Sequence, residues 1–368
     1  MKNLLQFRWL KTVDPFLFLF PILIWIAGLA EIYTLNFQSQ PQLFWLQFSF
    51  GLFGIFLMLL FTALDYRALR AVSWWLLLLG VLSLVLVLFL GEASFGARRW
   101  IDFGFWRFQP SEFYKIILFI FLSGFLAKSA EERLNVSFSK LFFSFVLLGL
   151  SVFLIMKEPD LGTASIILLT GFILFLHAPV KKWQIMAVLS LVLVSSPITL
   201  ARLKPYQKER IVVFLNPKKD PYGSGYNVQQ SVIAVGSGGF FGKGFGQGTQ
   251  SVLNFLPVAS TDFIFAGFAE STGFLGSLIL ISILFLLVYR LFRTAALAQD
   301  RFGYFFALTV GILWLFQIFI NVGMNLAMLP VTGVPLPFVS YGGSALISSF
   351  IVIGIAQSIY VRHKKIRF

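Results

Sequence analysis

Cysteine is absent from the chain, and histidine occurs only twice, at His177 and His363. Without cysteine the protein can form neither disulfides nor thiolate metal sites. Two histidines so far apart in the sequence argue against a histidine-based metal site. Charge is also scarce: charged residues make up 12% of the chain, whereas soluble domains contain about a quarter.

What the chain has in excess is apolar surface: 58% of its residues are hydrophobic, 18% are aromatic and 46 are phenylalanine. The mean hydropathy is +0.87. A single soluble core could not bury this much apolar surface, so a lipid bilayer must serve as its solvent. The net charge of +14 is compatible with nucleic-acid binding. Membrane proteins concentrate Lys and Arg in their cytoplasmic loops, however, and this explains the excess more simply.

Stretches of about 17–25 apolar residues mark spanning helices, and the sequence contains ten of them. They lie near residues 15–33, 43–63, 73–90, 112–127, 141–156, 161–178, 183–200, 262–289, 303–329 and 344–361. The first is followed by no small-residue cleavage site, which favours a retained span over a signal peptide. The prediction is an all-α integral membrane protein that forms one polytopic domain over residues 1–368.

The charges between the spans predict that both termini are cytoplasmic. With that orientation the outer loops at 34–42 and 330–343 carry no charge, and the basic residues of the short loops lie inside, as the positive-inside rule requires. Two outer segments, 91–112 and 201–261, carry charges of both signs. The second is a long extracytoplasmic loop between spans seven and eight, and it can cross the membrane regardless of its charge. Loops of that length are usually functional or disordered.

The first charged outer segment combines basic and aromatic residues with a candidate ion pair in span four. Its side chains of interest are Arg98, Arg99, Trp100, Ser111, Glu112 and Lys115. Ser111 is predicted to cap span four. Lys115 follows Glu112 by three residues on the same helix face, and an ionisable pair at that depth should face a polar cavity. The alternative is an interfacial segment with an aromatic anchor and a capped helix.

Spans five and six are joined by the tight turn Lys157-Glu158-Pro159-Asp160. Proline ends the first of these helices, and Asp160 is predicted to cap the second. The carboxylates of Glu158 and Asp160 could bind a cation or orient a basic partner at the outer membrane surface. A solvated, capped hairpin turn is the alternative.

The long outer loop contains several basic residues, among them Arg210, and the glycine run GSGGFFGKG at residues 236–244. A P-loop is excluded, because Ser237 stands where the first glycine is needed and Gly244 follows Lys243 in place of Ser or Thr. Basic side chains beside backbone N–H groups still suit an anionic headgroup such as a pyrophosphate.

Asp262 stands where the outer loop enters the membrane at the start of span eight. A carboxylate that is partly desolvated and close to basic groups can be tuned as a general base. Its alternative role is to cap span eight. Glu270 follows on about the same side of the helix and must face protein or water.

Two polar segments follow towards the C-terminus. Gln317, Asn321 and Asn325 form a stripe on one face of span nine, and we interpret the stripe first as interhelical hydrogen bonding. The uncharged segment 333–344, GVPLPFVSYGGS, includes Ser340 and Tyr341 and contains two prolines. It cannot be a regular helix, so it is predicted to be re-entrant or to line a cavity.

Eight segments, in this order, resemble the SEDS (RodA/FtsW) family of shape, elongation, division and sporulation proteins. They are GARRWID, FQPSE with Lys115, EPDLGT, YQKER, DPYGSGYNVQQS, GSGGFFGKG, FLPVASTDFIFA and GVPLPFVSYGGSA. Together they extend over nearly the whole chain, and they are more similar to the RodA, or elongation, branch. One departure is Ser271, which stands where relatives often have a second acid.

The resemblance implies an inverting peptidoglycan glycosyltransferase that polymerises lipid II on the outer face of the bacterial cytoplasmic (inner) membrane during elongation and shape maintenance. It also implies a class B penicillin-binding protein as partner, other membrane proteins of the elongation complex, and no nucleic acid. The family's essential aspartate falls on Asp262. Other positions important for activity fall on Trp100, Glu112, Lys115 and Asp160.

On this hypothesis Asp262 takes the proton of the acceptor sugar hydroxyl, and cations stabilise the leaving lipid pyrophosphate. The candidate cations are Arg98, Arg99, Lys115, Arg210 and Lys243. Ser340 and Tyr341 complete the candidate substrate-binding set, no metal ligand is assigned, and a divalent cation, Mg²⁺ or Mn²⁺, stays open as a cofactor. A lipid II flippase or transporter and a non-catalytic scaffold for a penicillin-binding protein stay open as alternative functions.

Overall fold

Helices make up most of the protein. The computed structural model describes residues 12–36, 40–94, 97–104, 106–132, 134–187, 190, 205–216, 220, 223–253 and 255–363. The helices named here are α1 (Pro15–Asn36), α2 (Gln42–Ala63), α3 (Tyr66–Ala71), α4 (Ser73–Leu90), α5 (Pro110–Glu131), α6 (Phe138–Lys157), α7 (Leu161–His177), α8 (Pro205–Leu215), α9 (Ser224–Ser237), α10 (Thr249–Val252), α11 (Ile264–Leu297), α12 (Arg301–Asn325) and α13 (Gly343–Val361).

Most of the predicted spans coincide with these helices. Within the described residues, eight helices are long and apolar enough to cross a membrane, namely α1, α2, α4, α5, α6, α11, α12 and α13. Helix α7 is a shorter apolar helix of 17 residues. The predicted span 183–200 lies mostly outside the described residues. The all-helical, multi-pass membrane fold is therefore confirmed, whereas the number of ten spans stays a prediction.

Three helices form the buried centre of the bundle. In the most apolar windows of α5, α12 and α13, 72%, 67% and 78% of the residues are buried, against 22% in α2 and 28% in α4. Helix α12 packs on α5 and α11, and α13 packs on α2. The outer helices expose large side chains such as Trp75 and Phe89, as expected for helices whose outer faces contact lipid.

A small antiparallel sheet follows α4, and the sequence did not predict it. Its strands are β1 (Glu92–Ser94), β2 (Ala97–Asp102) and β3 (Arg107–Phe108), in that order. The turn between β2 and β3 is stabilised by Asp102, which accepts a hydrogen bond from the N–H of Gly104 at 2.6 Å. Gly104 has a φ of 85°, which glycine adopts without steric cost. Because side chains alternate along a strand, Arg99 points to the face opposite Arg98 and Trp100.

Two predicted helix caps have different outcomes. Helix α5 begins at Pro110 with Gln109 as its N-cap, so the prediction that Ser111 caps this helix is wrong. Proline is favourable at a first helical position, because the N–H that it lacks has no partner inside the helix. The prediction for Asp160 is confirmed, since its carboxylate accepts a hydrogen bond from the N–H of Thr163 at 3.0 Å.

The glycine run packs against a break in α11. Gly273 interrupts this helix with φ 69° and ψ −165°, and the break frees backbone groups that must find partners at membrane depth. Four hydrogen bonds supply them: Lys243 N–H to Glu270 O (3.0 Å), Gly244 N–H to Ser271 O (2.9 Å), Phe274 N–H to Gly239 O (2.9 Å) and Leu275 N–H to Phe240 O (3.1 Å). From the sequence, the N–H groups of Lys243 and Gly244 were candidates to bind an anionic headgroup. In the structure both donate to carbonyl oxygens of α11 instead.

Substitution of Gly273 by alanine should destabilise the protein. The backbone angles of Gly273 are essentially restricted to glycine, at a cost of about 1–3 kcal/mol for other residues. A Cβ at this position would also come within 2.2 Å of the backbone nitrogen of Gly242. Thermal unfolding of the purified protein in detergent should show a Tm several degrees below that of the wild type.

Gly236→Ala is the matched control, because Gly236 lies in α9 and a Cβ there meets nothing within 4 Å. This variant should leave the Tm unchanged or slightly raised. Equal melting temperatures for Gly273→Ala and Gly236→Ala would contradict the described pairing.

Candidate active site

Asp262 lies in a turn of residues 257–263, which we call the Asp262 turn, directly before α11. The N-cap of α11 is Phe263, and no side chain caps this helix, so the alternative role of Asp262 as a helix cap is not observed. The side chain of Asp262 is half-buried. Its Oδ2 lies 3.5 Å from the position that a Cβ on Gly333 would occupy, so the carboxylate is within van der Waals reach of residue 333.

The polar stripe of α12 holds the backbone of Asp262. Asn321 Nδ2 donates to the carbonyl oxygens of Asp262 at 3.2 Å and of Val334 at 2.8 Å. Asn325 Nδ2 donates to the same Asp262 oxygen at 3.1 Å, and Asn325 Oδ1 accepts from the N–H of Ala266 at 3.0 Å. The interpretation of the stripe as interhelical hydrogen bonding is confirmed for Asn325, which bonds to α11 at Ala266. Asn321 bonds instead to the Asp262 turn and to the non-helical Val334, and these bonds hold the backbone of the candidate base.

The segment 333–344 is not helical before α13 begins at Gly343, as predicted, and it supports the Asp262 turn from another side. The Ser340 hydroxyl donates to the carbonyl oxygen of Thr261 at 2.7 Å and accepts from the N–H of Leu336 at 2.9 Å. The N–H of Tyr341 donates to the carbonyl oxygen of Ser260 at 2.9 Å. Ser340, a candidate substrate ligand from the sequence, therefore uses its hydroxyl to hold the turn.

Two guanidinium groups act on Asp262 electrostatically. Arg99 donates from Nε to the carbonyl oxygen of Glu158 at 2.8 Å and from Nη2 to the carbonyl oxygen of Pro159. Arg210 donates from Nη1 to the carbonyl oxygen of Thr332 at 3.2 Å. Burial raises the pKa of the Asp262 carboxyl above its ordinary value, and the positive charges of Arg99 and Arg210 oppose that rise. A carboxylate with a raised pKa and adjacent cations has the properties of a general base.

Asp160 is a second carboxylate near Asp262, and its charge adds to the rise of the Asp262 pKa. Both of its oxygens are engaged by Thr163, through the N–H at 3.0 Å and the hydroxyl at 2.9 Å. Its neighbour Glu158 is fully buried. Neither carboxyl oxygen of Glu158 has a hydrogen-bond partner among the residues that the structure describes.

Glu112 and Lys115 form the ion pair that their spacing predicts. Lys115 Nζ lies 2.7 Å from Glu112 Oε2, and both side chains are buried in the first turns of α5. Neither forms a hydrogen bond to the Asp262 turn within the described part of the chain. Of the remaining candidates on β2, Arg98 is exposed and Trp100 is half-buried.

Lys243 lies in a different polar cluster, around Glu270. Its Nζ is 2.7 Å from Glu270 Oε1 and also donates to Ser237 Oγ at 2.8 Å and Thr249 Oγ1 at 2.9 Å. Glu270 follows the start of α11 by six residues, which is about 9 Å along a helix. The structure therefore does not bring Lys243 to Asp262, and its charge is neutralised by Glu270.

No protein-built metal site is evident in the described part of the chain. These residues contain no group of three or more His, Asp or Glu side chains arranged to hold a metal ion. The sequence left a divalent cation open as a cofactor, and the described side chains supply no ligand set for one.

Sequence reasoning missed two polar residues inside predicted spans. Gln47 in α2 donates from Nε2 to the carbonyl oxygen of Ser340 and accepts from the N–H of Gly342, both at 3.1 Å. Glu31 in α1 is fully buried and accepts a hydrogen bond from Ser271 at 3.3 Å. The sequence contains the signal that could have identified both residues, namely a polar or ionisable side chain inside an apolar span. Such a side chain needs a partner within the protein.

The helical bundle and its polar site define a multi-pass membrane protein in which the charges of two arginines act on a carboxylate. Residues 10–365 match the family of FtsW, RodA and SpoVE that is described as cell cycle protein. The chain belongs to this family, and the resemblance noted from its motifs is thereby confirmed.

Curated relatives and solved structures agree with this membership. Peptidoglycan glycosyltransferase MrdB of Escherichia coli K12 is 39% identical over 315 residues, which are 84% of this chain and 84% of the relative. The probable peptidoglycan glycosyltransferase FtsW of Aliivibrio salmonicida is 35% identical and covers 96% of this chain and 91% of its own.

A chain of a solved peptidoglycan synthase complex, described as coordinating polymerization and crosslinking, superposes with a TM-score of 0.78 at 27% identity and covers 95% of this chain and 98% of its own. The rod shape determining protein RodA of Thermus thermophilus superposes with a TM-score of 0.70 at 26% identity and covers 95% of this chain and 96% of its own.

Replacement of Asn325 by alanine should loosen the Asp262 turn. It would remove the Nδ2 hydrogen bonds to Asp262 O and Asn321 O and the bond from the N–H of Ala266, which keeps only its acceptor Phe263 O at 3.0 Å. Each hydrogen bond contributes about 0.5–1.5 kcal/mol net, so the Tm in detergent should fall by several degrees.

The control is Ser349→Ala, since the Ser349 hydroxyl only donates to Ala345 O within its own helix. Its Tm should stay close to that of the wild type. An Asn325→Ala variant as stable as Ser349→Ala would argue against the described bonds.

Proposed function

We propose that this protein is a peptidoglycan glycosyltransferase that polymerises lipid II on the outer face of the bacterial cytoplasmic membrane, in cell elongation and shape maintenance. The observation that carries the proposal is the Asp262 carboxyl, held by its backbone beside Arg99 and Arg210. The names of the curated relatives, peptidoglycan glycosyltransferases, support the same activity.

In the proposed reaction Asp262 is the general base. It takes the proton of the acceptor sugar 4-hydroxyl, whose oxygen then bonds to the anomeric carbon of the donor. The bond from that carbon to the diphosphate oxygen breaks on the opposite face, so the configuration inverts and the lipid diphosphate leaves as an anion. A positioned base contributes roughly 10²–10⁴-fold to such a reaction. The raised pKa of Asp262 supports this role, because a base works best when its pKa approaches the working pH.

The leaving diphosphate needs positive charge that is fixed in advance. We assign this role first to Arg99 and Arg210, whose guanidinium groups suit phosphate oxygens geometrically and already act on Asp262. Lys115 and Lys243 contribute less on this proposal, because each is ion-paired with a glutamate at 2.7 Å. The sugar or peptide parts of the substrate are proposed to contact Arg98, Trp100 and Tyr341. The turns around the site are proposed to be held by Asp160 and Ser340.

A class B penicillin-binding protein that crosslinks the new glycan is the proposed partner. The similarity to a chain of a peptidoglycan synthase complex supports it. A transporter of the lipid precursor would be favoured by matched broken helices in the two halves of the chain. Within the described residues only α11 has such a break, so the polymerase is the better-supported function.

Asp262→Asn should abolish polymerisation without unfolding the protein. The amide retains the shape of the side chain but cannot accept the proton, so the rate should fall by about 10²-fold or more. The measurement is the conversion of fluorescent lipid II into glycan by purified protein, with and without a cognate penicillin-binding protein, alongside the Tm.

The control for Asp262→Asn is Glu209→Gln, which removes an exposed carboxylate from α8 and should polymerise like the wild type. Full activity of a folded Asp262→Asn protein would refute the proposed base.

The acid side of the pH–rate profile should respond to the charge at position 210. Asp262 is active when ionised, so the rate falls as the pH drops through its pKa. Because Arg210 lowers that pKa, Arg210→Gln should move the fall to a higher pH, whereas Arg210→Lys should leave it nearly in place.

The measurement for Arg210 is the initial rate of polymerisation at subsaturating lipid II across the acidic range. A shift to lower pH in Arg210→Gln, or equal shifts in both variants, would contradict the proposed electrostatic coupling.

A further inference from the structure

The turn between α6 and α7 contains a buried carboxyl group that the proposed reaction does not use. Glu158 ends α6 as its C-cap and is 0% exposed. Neither Oε1 nor Oε2 has a hydrogen-bond partner within the described residues. Its neighbour Asp160 differs completely, because both of its oxygens are bound by Thr163.

The surroundings of Glu158 favour a neutral carboxylic acid. A buried, ionised carboxylate without a partner is costly, and such groups take up a proton instead. The charged groups that act on Glu158 are Asp160 from its own turn, which disfavours ionisation, and Arg99 from β2, which favours it. Arg99 directs its donors to the backbone carbonyl oxygens of Glu158 and Pro159 rather than to the carboxyl group. Burial is the largest effect, and it raises the pKa of Glu158 to about 9.

Arg99 links this group to the candidate base, because its positive charge acts on both Glu158 and Asp262. If Glu158 were ionised, a full negative charge would lie beside Arg99 and would compensate much of its charge. A neutral Glu158 leaves that charge to act on Asp262 and on an anion bound beside it.

We infer that Glu158 is a positioning residue that works as a neutral carboxylic acid, and that its neutrality keeps the charge of Arg99 available to Asp262 and to the leaving diphosphate. This role rests on the proposed polymerase function. Glu158 touches no reacting atom, and it acts through Arg99 alone.

The inference predicts a specific change on the alkaline side of the pH–rate profile. Wild-type polymerisation should fall as the pH rises through the pKa of Glu158, because ionisation then neutralises Arg99. Glu158→Gln, which preserves the shape and cannot ionise, should lack this fall. The ratio of variant to wild-type activity should therefore rise by about tenfold from neutral pH to one pH unit above that pKa, where about a tenth of Glu158 stays protonated. Glu209→Gln, an exposed carboxylate on α8, serves as the control and should follow the wild type.

Protein stability gives a second readout that does not depend on activity. A carboxyl whose pKa is higher in the folded than in the unfolded state stabilises the protein most at low pH. Its contribution is lost as the pH rises from the ordinary value, 4.5, to about 9. The Tm of the wild type should therefore decline over this window relative to the Tm of Glu158→Gln. The infrared difference spectrum between the wild type and Glu158→Gln at neutral pH should also contain a protonated carboxylic acid band that disappears above the pKa of Glu158.

These readouts separate failure of the inference from failure of the proposed function. If the wild type makes no glycan at any pH, the polymerase proposal fails, and the infrared band and the Tm still decide whether Glu158 is neutral. Superimposable pH–rate profiles of the wild type and Glu158→Gln would overturn the inference. A Glu158→Gln protein that is folded but inactive at neutral pH would overturn it as well. Should this variant not fold, the infrared band is assigned with Glu31→Gln, which removes the other fully buried carboxyl that has an oxygen without a partner among the described residues. A Glu31→Gln protein with no carboxylic acid band at neutral pH would overturn the inference.

Discussion

Backbone groups at membrane depth must find hydrogen-bond partners inside the protein, and the candidate active site depends on how this chain meets that requirement. The Asp262 turn is irregular, and its carbonyl groups are satisfied by Asn321 and Asn325 of α12 and by the Ser340 hydroxyl. The break at Gly273 is satisfied in the same way by the glycine run. Irregular backbone is thus held by hydrogen bonds in two places, directly before α11 and within it, and the first of them carries the Asp262 carboxyl.

The distribution of charge divides the polar residues into two kinds. Lys115 and Lys243 each lie 2.7 Å from a glutamate, so their charges are compensated locally. The Lys115 pair lies within α5, whereas the Lys243 pair joins the glycine run to α11. Arg99 donates to the backbone carbonyl oxygens of Glu158 and Pro159, and the positive charges of Arg99 and Arg210 oppose the rise of the Asp262 pKa. In the proposed reaction the leaving diphosphate would therefore meet guanidinium groups beside the base, and positive charge fixed in advance stabilises developing negative charge.

Much of this organisation could be predicted from the sequence, for identifiable physical reasons. Long apolar runs define spanning helices, and the spacing of Glu112 and Lys115 predicts their ion pair. The cap of α7 by Asp160 follows from the residue type and its position. Contacts between distant segments carry no local signal, however. The pairing of Lys243 with Glu270 and the burial of Glu158 beside Arg99 depend on how the turns pack. The small sheet was missed because a short strand pair in a loop has little periodicity to recognise.

The most direct test is a structure of the protein, with the proposed penicillin-binding protein, bound to a lipid-linked donor analogue and an acceptor glycan. The acceptor hydroxyl should lie within about 2.6–3.2 Å of an Asp262 carboxyl oxygen, or one water molecule away. The diphosphate of the donor should contact Arg99 and Arg210. A diphosphate bound beside Lys243 and Glu270, with the acceptor hydroxyl remote from Asp262, would contradict the assignment of the base and of the site.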